Sequence, residues 1–224
     1  MVFQIGPLRL TGAAALVATI VLFGAIIAAL VYYRARILSS PLSISAALWI
    51  GFVIYWNVAA GNTVPTKSRE SPASRRVHTW LLNAAMFLVF VPVPGLDRRI
   101  LPEGRWVVAV GIVIHLASFL LALSARRHLG RFWSGEITQK VGHQLIRSGP
   151  YRLVRHPIYT AMLGMFLGTA ISSSQYHALL GLGILVLAYL RKTRLEEQIL
   201  QQTFGTEYDA YRCQQSGGPR PPYR

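Results

Sequence analysis

The chain has 224 residues, 53% of them hydrophobic and only 14% charged, with a formal net charge of +15. A soluble domain of this size does not carry so apolar a composition. The single cysteine, Cys213, excludes an intramolecular disulfide and a cysteine-based metal cluster, and no metal site is expected.

The apolar residues fall in blocks at 10–33, 44–60, 80–93, 106–124, 158–171 and 176–190. Crossing a hydrocarbon core of about 30 Å takes about 20 helical residues. The first, second and fourth blocks meet or nearly meet that length, and the third is short. The last two, parted by Ser172-Ser173-Ser174-Gln175, predict half-length helices or a tight hairpin. The expectation is an all-α, polytopic integral membrane protein with about five transmembrane helices, the last region being a possible helical hairpin. The first block lacks a basic leader and a small-residue cleavage site, so it reads as a retained span rather than a signal peptide.

The charge follows the spans. With the N-terminus cytoplasmic and a returning hairpin at the end, only Arg34, Arg36, Arg98, Arg99 and Arg105 fall in outer loops; every other lysine and arginine lies inside. That bias is what the positive-inside rule predicts. The basic charge is thus read as topology and attraction to anionic headgroups, not as nucleic-acid binding. Both termini and the active site are expected to face the cytoplasm.

Residues 1–124 read as transmembrane scaffold helices, rich in Ala and Gly where helices approach closely. Asn57, Asn83 and His115 are the polar exceptions, expected to hydrogen-bond between helices. His115 sits deep in a span with no obvious partner, which disfavours haem. Residues 125–212 change character. The stretch 125–157 is polar, basic and too long for a turn, and its aromatics Phe132 and Trp133 favour an ordered, functional loop. Residues 191–212 predict a cytosolic helix continuing from the last span, with Gly205 as its stop and Thr206 and Asp209 capping a short turn. Residues 213–224, rich in Gly and Pro, predict a disordered tail.

The run Ser148 to Tyr159 concentrates charge and aromatics where the chain enters the membrane. His156 precedes a proline and should avoid the α region, while Pro157 suits the first helical position. A helix beginning there offers free N–H groups to a carboxylate or phosphate. Tyr151 and Tyr159 offer ring faces to a cation. Across the hairpin the chain delivers Lys192, Glu196 and Glu197, and Glu196 suits an ammonium group. An anion site, an aromatic cation site and a carboxylate together complement S-adenosylmethionine. Each part also has a plainer reading: headgroup anchors, an aromatic belt, and a Lys192–Glu196 pair one helical turn apart.

Three ordered elements carry a resemblance. His143-x-Leu145-Ile146-x-Ser148-Gly149-x-Tyr151 comes first, and Arg155-His156-Pro157-x-Tyr159 follows. The third is Glu196-Glu197-x-x-Leu200-x-x-x-Phe204-Gly205-x-x-Tyr208-x-x-Tyr211. Over roughly residues 125–212 the chain resembles the isoprenylcysteine carboxyl methyltransferase family and the related phospholipid methyltransferases. The membrane sterol reductases share a similar Arg-His-Pro-x-Tyr element, but with Asn where this chain has Ile158.

The resemblance implies a membrane-embedded, S-adenosylmethionine-dependent methyltransferase whose cytosolic loop and C-terminal helix close over the cofactor. By it, His143, Gln144, Leu145, Ile146, Tyr151, His156, Pro157, Ile158 and Tyr159 bind the cofactor, and Glu196 holds its amino group. Glu136 stands where the family has a cofactor-contacting glutamine. Lys192 stands where it has a substrate-orienting arginine; a lysine grips a carboxylate as a point charge rather than a bidentate fork. Lys192 and Glu197 are the catalytic candidates. The expected acceptor is lipophilic, entering from the membrane: the carboxylate of a prenylcysteine-like substrate, or alternatively a phospholipid amine or a small thiol. From another class, a non-enzymatic transporter or scaffold would share the spans and the charge bias.

Overall fold

The computed structural model describes residues 42–60, 64–134, 137–140, 142 and 144–215. The first expected span and most of the tail lie outside these, as do Glu136 and His143.

Among the described residues, six helices carry the fold. Helix α1 runs Leu42–Ala60, α2 Pro72–Phe90, α3 Arg105–Leu129, α4 Pro157–Ser173, α5 Tyr176–Phe204 and α6 Thr206–Gln215. The all-α expectation needs one amendment. Strand β1, Thr66–Arg69, pairs antiparallel with β2, Thr138–Lys140. This short ribbon joins the segment before α2 to the loop after α3. Runs of four and three residues with no apolar alternation leave no strand signal to read in sequence.

The ends of the helices follow local chemistry. Ser71 caps α2, its Oγ accepting from the Ser74 N–H at 3.2 Å, and Pro72 occupies the first turn, where a missing N–H costs nothing. Helix α5 runs 29 residues, roughly 43 Å at 1.5 Å per residue, with its charged residues gathered in the last turns. Gly205 stops it at φ 50°, a left-handed value that glycine adopts without cost. The following α6 is a ten-residue helix rather than the single turn expected.

Helices α4 and α5 form the hairpin. Tyr159, in the first turn of α4, stacks on Tyr189, well along α5, with ring centroids 4.8 Å apart. At the turn, the Ser174 carbonyl accepts from the Ile100 N–H at 2.7 Å, and the His177 N–H donates to the Leu96 carbonyl at 3.0 Å. The loop between α2 and α3 thus packs against the hairpin tip.

Helix α4 lies against α3 along a seam of small residues. A Cβ on Gly111 would sit 2.6 Å from the Gly168 carbonyl oxygen, and one on Gly168 would sit 2.5 Å from the Gly111 oxygen. Gly164 faces Ser118 as closely. Between helices in lipid, such close backbone approach supplies packing energy that burial of apolar surface cannot. His115 is fully buried beside the seam. Its Nδ1 lies 3.3 Å from Thr169 Oγ1, which also accepts from Trp49 Nε1 at 3.1 Å, so His115 does bond between helices. Asn57 does not: its amide donates to the Val53 carbonyl in its own helix.

Two helices, over Ser43–Ala60 and Arg105–Phe132, are long and apolar enough to cross a membrane. Helix α4 falls short at 17 residues, and α2 and α5 are diluted by charged turns at one end, so the described residues do not reach five spans on length and composition. Exposed apolar side chains nevertheless run in helical stripes. Ile50, Ile54 and Val58 lie on α1, Trp106, Val110, Val113 and Leu120 on α3, and Leu179, Leu180, Leu187 and Leu190 on α5. A belt of this extent suits lipid rather than water.

Candidate active site

The site lies where α4 begins, α5 emerges and α6 turns back. His156 has φ −123° and ψ 62°, outside the α region as a pre-proline residue must be, and Pro157 sits buried in the first turn. No side chain caps α4, and Pro157, Ile158 and Tyr159 of its first turn line the cleft, near the positive end of the helix dipole.

Two consecutive glutamates of α5 meet His156. Its Nδ1 lies 3.4 Å from Glu196 Oε2, and its Nε2 lies 3.3 Å from Glu197 Oε1. Arg155 Nε approaches the same Glu197 oxygen at 3.1 Å. Burial by itself disfavours the charged imidazole, but the hydrogen bonds and charges of Glu196, then Glu197, outweigh it and hold the His156 pKa above 6.5. Burial likewise pushes Glu196 up, yet the hydrogen bond and charge of His156, with Tyr159 and Lys192 behind them, hold its carboxyl below 4.5. Burial drives the Tyr151 phenol far above 10, so it stays neutral.

A cleft of about 910 Å³, counting its open mouth, brings these groups together. Gln144, Leu145, Ile146, Tyr151, His156, Pro157, Ile158, Tyr159 and Glu196 all line it. Helix α6 adds Tyr208 and Tyr211, and the loop after α3 adds Trp133, Ser134 and Ile137. Tyr208 Oη, buried on this wall, has no hydrogen-bond partner, whereas the buried Glu196 Oε2 faces His156 Nδ1 at 3.4 Å. An unpartnered buried hydroxyl is costly unless a ligand group reaches it.

Helix α6 is strapped across the cleft. Tyr211 Oη and Gln215 Nε2 both donate to the Tyr151 carbonyl, at 2.6 and 2.8 Å, and Arg147 Nη2 pairs with Glu207 at 2.5 Å. On the far side, Arg126 is buried and donates to the Gly130 carbonyl at 2.6 Å and to the Ala59 carbonyl. Its guanidinium also covers the Trp133 ring at 4.6 Å. Such a cation at two helix ends is favoured by both dipoles.

A second cleft opens on the other side of His156 and Tyr159. Leu153, Val154, Leu163, Val186 and Leu190 line it, and it shares Arg155, His156 and Tyr159 with the first. Lys192 is buried and lines neither. Its Nζ lies 5.6 Å from the centroid of Tyr159. That ring also stacks on His156 at 5.5 Å and on Tyr189, so the cation it meets is Lys192 rather than a ligand. Glu197 touches Arg155 and His156 without lining the first cleft.

Glu136 and His143 lie outside the described residues. Sequence reasoning missed Ile137, Ile199 and Arg155 as lining residues; Arg155 stood inside the motif beside His156 but read as a headgroup anchor.

Comparison with known proteins places this region. The family model for phospholipid methyltransferase matches residues 106–207, which takes in nearly all of α3, the first two motif elements and the third as far as Gly205. The chain is also 28% identical over 121 residues to Protein-S-isoprenylcysteine O-methyltransferase A of Arabidopsis thaliana. That match covers 53% of this chain and 59% of the relative, so it spans less than two thirds of that protein. The two matches bear out the resemblance to the isoprenylcysteine carboxyl methyltransferase family and its phospholipid relatives.

Proposed function

We propose that this protein is a membrane methyltransferase that uses S-adenosylmethionine to methylate a lipophilic acceptor, the carboxylate of a prenylcysteine-like substrate, from a cleft facing the cytoplasm. The comparisons support membrane methyltransferase activity; the donor, the acceptor and the orientation are our reading. One observation carries it: Glu196, its Oε2 buried 3.4 Å from His156 Nδ1, lines the same cleft as the first turn of α4, whose N-terminus no side chain caps.

These groups fit the donor. Glu196 would receive an ammonium group, and the α4 N–H groups would receive a carboxylate. Tyr151 and Tyr208 would offer aromatic surface to a sulfonium. When bound, the donor supplies an electrophilic methyl group on that sulfonium. The protein's part is to position and to exclude water, which α6 and the Tyr211–Tyr151 contact do.

An acceptor would approach from the second cleft, whose apolar walls suit a prenyl or acyl chain and whose shared wall carries Arg155 and His156. Arg155 reaches both clefts, so it would orient an acceptor carboxylate, with Lys192 holding Tyr159 from behind. A carboxylate needs no general base. Glu196 and Glu197 raise the His156 pKa against the effect of burial and so favour its charged form, which suits an anionic acceptor. The match to the phospholipid methyltransferase model favours the second reading, a phospholipid amine, for which Glu197 would have to take the proton.

Calorimetry on the detergent-purified protein tests the reading. Binding of S-adenosylhomocysteine is expected, and no binding would sink it in favour of a transporter or scaffold. Labelled donor offered with a farnesylcysteine analogue, phosphatidylethanolamine and a small thiol then identifies the acceptor. Label on the farnesylcysteine carboxylate is the expected product, and label on phosphatidylethanolamine would select the second reading.

A further inference from the structure

The wall of the donor cleft formed by the loop after α3 is fastened to a residue far from it in sequence. Glu70 grips Ile137 twice: its N–H donates to the Ile137 carbonyl at 3.0 Å, and its Oε1 accepts from the Ile137 N–H at 3.3 Å. The other carboxylate oxygen, Oε2, accepts from Ser74 Oγ at 2.8 Å. Ser74 Oγ in turn accepts from Arg191 Nη2 at 2.8 Å. Arg191 lies on α5, the helix that carries Glu196. Ile137 is 3% exposed and lines the cleft opposite that helix. A continuous set of charge-assisted hydrogen bonds therefore links one wall of the cleft to the helix that forms another.

We infer that Glu70, in the amino-terminal half of the chain, is a positioning residue for the donor cleft, setting the distance between the Ile137 wall and Glu196 through Ser74 and Arg191. The inference rests on the methyltransferase reading above. Backbone pairing alone would not do this, because the β1–β2 register slips between Thr66 and Ser68 and leaves the ribbon irregular just before Glu70. A carboxylate accepting from both a backbone N–H and a hydroxyl fixes the position more firmly than the ladder. The competing account is local: Glu70 stands just before the cap of α2 and could serve only that helix's dipole.

The two accounts part on affinity. If Glu70 positions the wall, Glu70→Ala in the full-length, detergent-purified protein weakens S-adenosylhomocysteine binding about tenfold at unchanged stoichiometry. It also speeds hydrogen exchange at the Ile137 amide by about tenfold. Glu70→Gln keeps an oxygen for that amide and restores both, although it removes the charge at the α2 terminus. A purely local role predicts a lower Tm in both variants with wild-type Kd and wild-type exchange at Ile137, and that result overturns the inference. Should Glu70→Ala fail to fold, Ser74→Ala, which cuts the link to Arg191, carries the same test, and unchanged Kd there overturns it equally. A wild-type protein that binds no S-adenosylhomocysteine overturns the methyltransferase reading itself. Wild-type binding with an unaltered Kd in Glu70→Ala overturns only the role of Glu70.

Discussion

His156 Nδ1 lies 3.4 Å from Glu196 Oε2, joining the first residue before α4 to the emerging end of α5. The contact closes the open end of the hairpin and holds Glu196 on the cleft wall. Because Pro157 fixes the backbone on one side and the Tyr159–Tyr189 stack fixes the helix spacing on the other, the two side chains have little freedom to part.

Replacing either partner should therefore harm donor binding more than folding. Glu196→Ala is expected to weaken S-adenosylhomocysteine binding about a hundredfold, the scale for losing one partner of a buried charged hydrogen bond. His156→Ala should weaken it less, since Glu196 keeps its charge but loses its orientation. Calorimetry showing weakened binding at unchanged stoichiometry in folded variants would support this; equal Kd values for wild type and Glu196→Ala would refute it.

The same pair makes stability depend on pH in both directions. His156 has a folded pKa above 6.5, so its contribution is fully present below about 6.5 and is lost as pH rises through the folded value. Glu196 has a folded pKa below 4.5, so its contribution is fully present above about 4.5 and is lost as pH falls through the folded value. Stability from the pair is greatest between those limits. Thermal melts should show a Tm that falls from about pH 6 to pH 9 in the wild type, and a flatter profile over that range in His156→Gln. Parallel profiles would assign the decline to other groups.

Packing at the α3–α4 seam gives a sharper test of the fold. Gly168→Ala places a Cβ 2.5 Å from the Gly111 carbonyl oxygen and 2.6 Å from the His115 nitrogen, both backbone atoms that cannot swing away. Overpacking of this kind costs about 1–3 kcal/mol. A Tm several degrees lower is expected, whereas Gly183→Ala, whose Cβ meets nothing within 4 Å, should leave it unchanged.

Much of this was legible in the sequence, for physical reasons that differ by element. His156-Pro157 announces a helix start because proline restricts both its own φ and its neighbour's conformation, and Gly205 announces a stop for a similar reason. Gln144, Leu145, Ile146, Tyr151 and Glu196 were expected together by resemblance, and they line one cleft. What was not legible depends on long-range placement. Nothing near Glu70 hints that its partner is Ile137, because hydrogen bonds to backbone N–H groups leave no trace in side-chain pattern. Lys192 is expected by resemblance to orient the substrate, yet it is buried beneath Tyr159 and lines neither cleft, a position decided by how α4 and α5 close rather than by its own neighbours.

Closure by α6 rests on one carbonyl with two donors, which sets up a test by double substitution. Tyr211 Oη and Gln215 Nε2 both reach the Tyr151 oxygen, so either can hold α6 when the other is lost. Tyr211→Phe keeps the buried ring and removes only the hydroxyl; alone it should change donor affinity less than about threefold, since a single neutral hydrogen bond contributes about 1 kcal/mol at most net and a second remains. Gln215→Ala alone should behave likewise. Together they leave a buried carbonyl without either donor and free α6 to lift, so their effects should exceed the sum of the singles. Faster release of S-adenosylhomocysteine is the expected signature, measured as koff by stopped flow. Strictly additive single and double variants would mean that the Arg147–Glu207 pair, not the Tyr151 carbonyl, keeps the helix in place.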